Sequence, residues 1–238
     1  MRNFNSQLKS LVTGAMIAAA GGFVYVAATG TTAKASLLDA DGAALSNPLA
    51  LTNGSFDFNV ADTVGNLDLF IQSPTGHFIV VKNVKPSGDS SIFVDDSQAH
   101  TTMVIPFNVA DQAGDATETG CGFTQIGAVQ PNVAVDVLTV DATETVDFGT
   151  DSTDSGDADG FIDGLSVATA GYIKATNANG SVTLGADLYI QDSANSGDDF
   201  PEQSTSKIGK EFTYTLSAGS DTAAGYFIVP VQLPVSSL

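Results

Sequence analysis

Ser55-Phe-Asp-Phe-Asn-Val60 alternates polar and apolar residues without a break. Phe56, Phe58 and Val60 therefore share one face of an extended chain while Ser55, Asp57 and Asn59 share the other, the pattern of a half-buried β-strand. Asn53-Gly54, directly in front, supplies two residues that accept positive φ and so opens the strand through a tight turn. The same period returns at residues 181–191, where Val182, Leu184, Ala186, Leu188 and Ile190 fall on one face, and at Phe212, Tyr214 and Leu216. An all-β protein follows, and in such a chain function rests on surfaces and loops more than on a helical scaffold.

Working outward from that strand, Asp41-Gly42, Asn47-Pro48, Asn53-Gly54, Pro74-Thr-Gly76 and Pro86-Ser-Gly88 punctuate the chain as turns. They separate candidate strands at residues 23–28, 33–38, 49–51, 55–60, 66–72, 77–82 and 102–107. Short strands at this spacing build a sandwich or barrel, and 238 residues suffice for two such cores. The expected organisation is an N-terminal arm (residues 1–21), a first β-sandwich (22–108), a connector rich in Ala, Asp, Gly, Thr and Gln (109–131) and a second β domain (132–238), with the sandwiches Ig-like or jelly-roll-like. Strands of the second domain are expected at 134–140, 145–148, 171–176, 181–191, 211–217 and 224–232. An acidic insertion (149–164), one helical turn (164–170) and a polar insertion (192–209) interrupt them.

Twenty-seven Asp and Glu against eight Lys and Arg give a net charge of −19. No Lys or Arg lies between Lys85 and Lys174, an interval that holds fifteen carboxylates. A surface of this sign repels phosphate backbones, so a nucleic-acid partner is not expected. Cys121 is the single cysteine, which excludes an internal disulfide. Trp is absent, and fourteen Phe supply the aromatic bulk of the cores.

Arg2 and Lys9 precede an apolar, small-residue run over 11–28 that mimics a secretory signal. Gly14, Gly21 and Gly22 interrupt it, and Phe23-Val-Tyr-Val26 is aromatic and β-branched, which favours a strand over a membrane-spanning helix. The expectation is a retained arm and no membrane partner. In that arm Leu8, Leu11, Met16 and Ile17 bury either against a neighbouring subunit or against the chain's own sandwich.

The strongest chemical candidate is the loop from Asp151 to Asp163, in which Asp154, Asp157, Asp159 and Asp163 surround Gly160. Oxygen-rich side chains about a Gly turn suit Ca²⁺. An EF-hand register, however, puts Ser155 and Ser166 at its first and twelfth positions, where Asp and Glu are required. The alternatives are a non-EF calcium loop using those four Asp or a solvated acidic turn. His77 and His100, the only histidines, lie in no Ser, Cys or metal motif. The chain has neither a P-loop nor a dinucleotide fingerprint, and the expectation is a protein without enzymatic activity.

Leu38-Asp-Ala-Asp-Gly42, Leu45-Ser-Asn-Pro48, Leu51-Thr-Asn-Gly54 and Phe56-Asp-Phe58 succeed one another in a pattern that resembles tailed-bacteriophage virion structural proteins. Val137-Leu-Thr-Val-Asp-Ala-Thr-Glu-Thr-Val146, Asp157-Ala-Asp-Gly-Phe-Ile-Asp163 and Tyr214-Thr-Leu-Ser-Ala-Gly-Ser-Asp-Thr-Ala223 resemble the same set. What the resemblance implies is a capsid decoration or cement protein at the capsid surface of the virion. Its partner is then the major capsid protein, and the usual symmetry sites of shells suggest a homo-oligomer, a trimer in the simplest case. A head-fibre or tail adhesin whose loop 192–209 engages host glycans is the alternative, and a secreted bacterial surface protein is what the signal-like N-terminus suggests in isolation.

Overall fold

A computed structural model describes residues 1–19, 21–86, 88–126, 128–130, 132–154, 156–175, 210–217 and 222–233. These residues form two compact units, Met1–Thr101 and Thr102–Leu238, built from strands without an α-helix. The expected all-β class holds, as largely antiparallel sheets packed into sandwiches.

The first unit contains β1 (Arg2–Ser10), β2 (Phe23–Ala28), β3 (Leu37–Leu38), β4 (Ala44–Leu45), β5 (Leu49–Ala50), β6 (Ser55–Val60), β7 (Leu67–Gln72), β8 (Phe78–Val84) and β9 (Gly88–Val94). One sheet runs β4-β3-β6-β1-β9 and the other β5-β2-β7-β8. Phe4, Leu8, Phe56, Phe58 and Val60 from the first sheet meet Val24, Val26, Leu67, Leu69 and Ile71 from the second in one buried core. Phe4 lies across the ladder from Phe58, their rings stacked 5.4 Å apart, and it also stacks on Phe56.

The Asn53-Gly54 turn forms as the sequence predicts. Asn53 and Gly54 both have positive φ, and Thr52 and Ser55 exchange two backbone hydrogen bonds across them. Gly54 is required for a second reason: a Cβ there would lie 2.0 Å from the carbonyl oxygen of Ile17.

That contact exposes a difference from the expected arm. Residues 2–10 are a strand of the first unit, antiparallel to β6 and parallel to β9. After Ser10 the chain turns through Gly14 and comes back alongside β1, with Met16 bridging Lys9 and the Ile17 amide donating to the Leu8 carbonyl. The reason is a face of β1 that reads Phe4, Ser6, Leu8, Ser10, all buried. Two serines at inward positions hide the alternation from a hydropathy reading.

The second unit contains β10 (His100–Asn108), β11 (Thr119–Thr124), β12 (Ala128–Val129), β13 (Ala134–Thr139), β14 (Thr145–Thr150), β15 (Ile162–Ser166), β16 (Gly171–Lys174), β17 (Glu211–Leu216) and β18 (Ala224–Gln232). One sheet runs β10-β18-β13-β16 with β12 also on β18; the facing sheet runs β11-β17-β14-β15. Aromatic rings join the two: Phe148 of β14 stacks on Phe227 of β18 at 4.2 Å and on Phe212 of β17 at 5.5 Å.

Three further boundaries move. β10 carries Met103, Ile105 and Phe107 into buried positions of the second unit, so the division falls at Thr101 and not at 108. The connector 109–131 holds β11 and β12, because Thr119, Cys121 and Phe123 alternate inward behind glycines. The helical turn at 164–170 is displaced by β15, whose Ile162 and Leu165 are buried. The strand expected at 181–191 and the insertion at 192–209 lie outside the described residues.

Phe148→Ala removes the ring on which Phe161, Phe212 and Phe227 all lie. Chemical denaturation should register a loss of about 3–5 kcal/mol for such a truncation in a closed core.

Candidate functional site

The acidic loop is built on the end of β14. Asp151 accepts from the amide and hydroxyl of Thr153 at 2.8 and 2.6 Å, which starts a 3₁₀ turn over Ser152–Asp154. The chain then returns to its origin: the Thr150 amide donates to the Asp157 carbonyl at 2.7 Å, and the Asp157 amide donates to the Thr150 hydroxyl. The return passes directly over Gly149, where a Cβ would meet that Asp157 carbonyl oxygen at 1.9 Å. Asp157 thus works here through its backbone.

Asp159 stands exposed at the tip, while Asp163 is drawn away into β15. The side chain of Asp154 lies outside the described residues. Asp157, Asp159 and Asp163 do not come together as a metal-ligating group; among the described residues no cluster of three or more His, Cys, Asp or Glu could hold an ion. What governs the loop is turn closure, since its carbonyls and carboxylates are used to cap amides.

Asp163 instead lies in the strand that pairs with the strand of Asp147, a neighbourhood that the linear spacing does not suggest. Asp147 sits where the β14–β15 ladder slips between Val146 and Phe148, and its Oδ1 accepts from the Gly164 amide at 2.7 Å. Partial burial pushes the Asp147 carboxyl above the ordinary carboxylate range, the Gly164 bond opposes the shift, and the charge of Asp163 adds to it.

Beside this pair, Glu118 accepts from the Ser152 amide, the Ser152 hydroxyl and the Thr213 hydroxyl. Glu211 accepts from the Gly122 amide at 2.6 Å. Glu144, buried, accepts from the Ser217 hydroxyl at 2.9 Å. Each of these acids ties one strand or loop to another.

His77 is buried at the Pro74-Thr-Gly76 turn. Its Nε2 lies 3.0 Å from the Gln98 carbonyl and its Nδ1 2.8 Å from the Thr75 hydroxyl, which in turn lies 2.9 Å from the Ser73 hydroxyl. The carbonyl fixes Nε2 as the donor, and in the neutral ring Nδ1 then accepts from Thr75. Nε2 thereby ties Gln98 to the turn, and Nδ1 holds the ring on Thr75. Asp95 accepts from Ser97 and Gln98, and those bonds hold its carboxyl below the usual range. His100 is exposed at the start of β10.

The four residues expected at a subunit contact divide. Leu8 is fully buried in the core of its own unit, and Ile17 is partly buried against the same core. Leu11 and Met16 are exposed, and the fold adds Val12 and Phe93 to them. Phe93 escapes a sequence reading because its neighbourhood depends on the parallel pairing of β9 with β1, a contact between residues some eighty positions apart. Among the described residues no helix is long and apolar enough to cross a membrane.

Comparison with protein-family models, curated proteins and solved structures returned no significant match.

Asp147 sets a pH signature. A carboxyl whose pKa is raised on folding favours the native state most when protonated, and that contribution is lost as pH rises through the folded-state value. Asp147→Asn keeps an acceptor for the Gly164 amide and removes the charge. The variant should melt higher than wild type at neutral pH, with the difference vanishing below about pH 3.9, the ordinary Asp value. Thermal melts across pH check this.

Proposed function

We propose that this chain is a non-enzymatic structural protein of a virus particle, a decoration or cement protein on the capsid surface whose partner is the major capsid protein. The observation that carries the reading is the division of charge between the two sandwiches. The first unit holds eight acids and five bases, a net charge of −3; the second holds nineteen acids and three bases, a net charge of −16. A shell protein needs one surface that meets its neighbours at little Coulombic cost and another that keeps the particle soluble. The near-neutral first unit, with its exposed Leu11, Val12, Met16 and Phe93, suits the first task, and the acidic second unit suits the other.

The use of the polar groups supports the same reading. Asp68 in β7 accepts from the Thr29 hydroxyl, the Gly30 amide and the Asn83 amide; with His77 and Glu118 it serves to fix loops onto sheets, while Glu211 ties strand to strand. Repetition on a symmetric shell multiplies weak contacts, so modest surfaces suffice. Quantitative mass spectrometry of purified particles tests the proposal: copies comparable in number to the major capsid protein are expected, and absence from the particles refutes it.

A tail or fibre adhesin is a second reading, favoured by Tyr172. Its side chain is 63% exposed on β16, directly across the ladder from Asp136 of β13. An open aromatic ring beside a carboxylate is chemistry that holds a sugar ring. A few copies per particle, with glycan binding lost in Tyr172→Ala, is the outcome this reading requires.

A further inference from the structure

A chain of hydrogen bonds at the turn between β7 and β8 runs in one direction through an exposed hydroxyl. The Gln98 carbonyl only accepts, so His77 Nε2, 3.0 Å away, carries the ring proton, and in the neutral imidazole Nδ1 is an acceptor. Nδ1 lies 2.8 Å from Thr75 Oγ1, whose hydroxyl therefore donates to it. With that proton committed, the Ser73 hydroxyl, 2.9 Å from Thr75 Oγ1, donates to Thr75 in turn. Ser73 and His77 are buried, while Thr75 between them is exposed. The turn explains the split: the Gly76 amide donates to the Ser73 carbonyl and the Ser73 amide to the His77 carbonyl, which leaves Thr75 at the corner. Other exposed threonines direct their hydroxyls at oxygen, as Thr31 does at the Ala28 carbonyl and Thr143 at Asp141. Among the described residues only Thr75 meets an imidazole.

We propose that Thr75 is an activated hydroxyl that accepts an acyl group from an activated ester, with His77 as the base that takes its proton. A hydroxyl bonded to a base that a third group orients is the arrangement that activates an otherwise weak nucleophile. In the step the Thr75 Oγ1–H bond breaks, its proton moves to His77 Nδ1, and Oγ1 bonds to the acyl carbon. The bond from that carbon to the leaving oxygen breaks, and the oxygen departs with the electron pair. His77 then releases the proton to solvent, which leaves an ester on Thr75. Nε2 donates to the Gln98 carbonyl before and after the transfer, so the charged ring keeps its orientation. Asp95 supplies negative charge nearby: bonds from Ser97 and Gln98 and, after them, the charge of His77 hold its carboxyl below the usual range. The Thr75 amide donates to no group among the described residues, and a nucleophile's own amide is a donor suited to the oxyanion that forms on the acyl carbon. One transfer per chain is a modification without turnover, which is compatible with a structural role. The site stands on this turn alone and does not depend on the particle reading.

The test treats the full-length chain with p-nitrophenyl acetate and locates the acetyl groups over time by tandem mass spectrometry. In native protein Thr75 should be acetylated faster than any other hydroxyl, and in urea no faster than the rest. Thr75→Ser should keep the modification and Thr75→Val should lose it. His77→Gln retains a donor for the Gln98 carbonyl but cannot take the proton, so acetylation of Thr75 should slow by about a hundredfold or more. Circular dichroism establishes that each variant is folded; should His77→Gln not fold, the comparison of native with unfolded wild type decides. Acetyl groups confined to amines and histidines, equal acetylation of Thr75 in native and unfolded wild type, or an unchanged rate in folded His77→Gln overturns the proposal.

Discussion

The first sandwich depends on where its first ten residues go. β1 occupies the place between β6 and β9, giving hydrogen bonds to a strand some fifty residues later on one side and to one about eighty residues later on the other. Remove it and the sheet loses an inner strand, Phe56 and Phe58 lose the ring of Phe4 that stacks on both, and β9 has no described neighbour. Contacts of such sequence separation cost loop-closure entropy before they return burial. The unit is therefore complete only once the chain has been laid down as far as Val94, and the N-terminal segment is committed to its own fold. What it leaves for others is the tip at Leu11, Val12 and Met16, which the hairpin pushes past the edge of the core.

The second unit solves a different problem, that of folding a chain of net charge −16. Its core is aromatic, with Phe107, Phe148, Phe212 and Phe227 packed across the two sheets. Several of its acids are placed where amides and hydroxyls need acceptors: Asp151 caps the 3₁₀ turn, Asp141 caps Thr143, and Glu118 and Glu211 reach across strands. Repulsion between carboxylates is thus partly offset by charge-assisted hydrogen bonds to the backbone. Asp147 departs from this pattern, since it is drawn into partial burial beside another acid.

Period two made the regular strands legible. Ser55–Val60 and Ala224–Gln232 fall where alternation and turn chemistry place them, as does Phe23–Ala28 behind its glycines. β1 was hidden by Ser6 and Ser10 at inward positions, and β11 by Gly120 and Gly122 among its inward residues. β9 offers Gly-Asp-Ser-Ser before its apolar end and gains its place only from a parallel partner at the far end of the chain. The acidic loop shows the limit of motif reading in the same way. The sequence lists the oxygen donors in order, but the path of the backbone decides which of them meet, and here it sends Asp163 into a strand toward Asp147. The surfaces described here arise from long-range pairing, which linear spacing does not encode.

The central claim is that residues 2–10 are an integral inner strand of the first unit. Hydrogen–deuterium exchange of the intact protein tests it directly, because amides in a core ladder open only with the unit that contains them. The account predicts that a peptide covering Arg2–Ser10 is protected as strongly as one covering Ser55–Val60. Exchange of the N-terminal peptide at the rate of an unstructured chain, with Ser55–Val60 still protected, would contradict it.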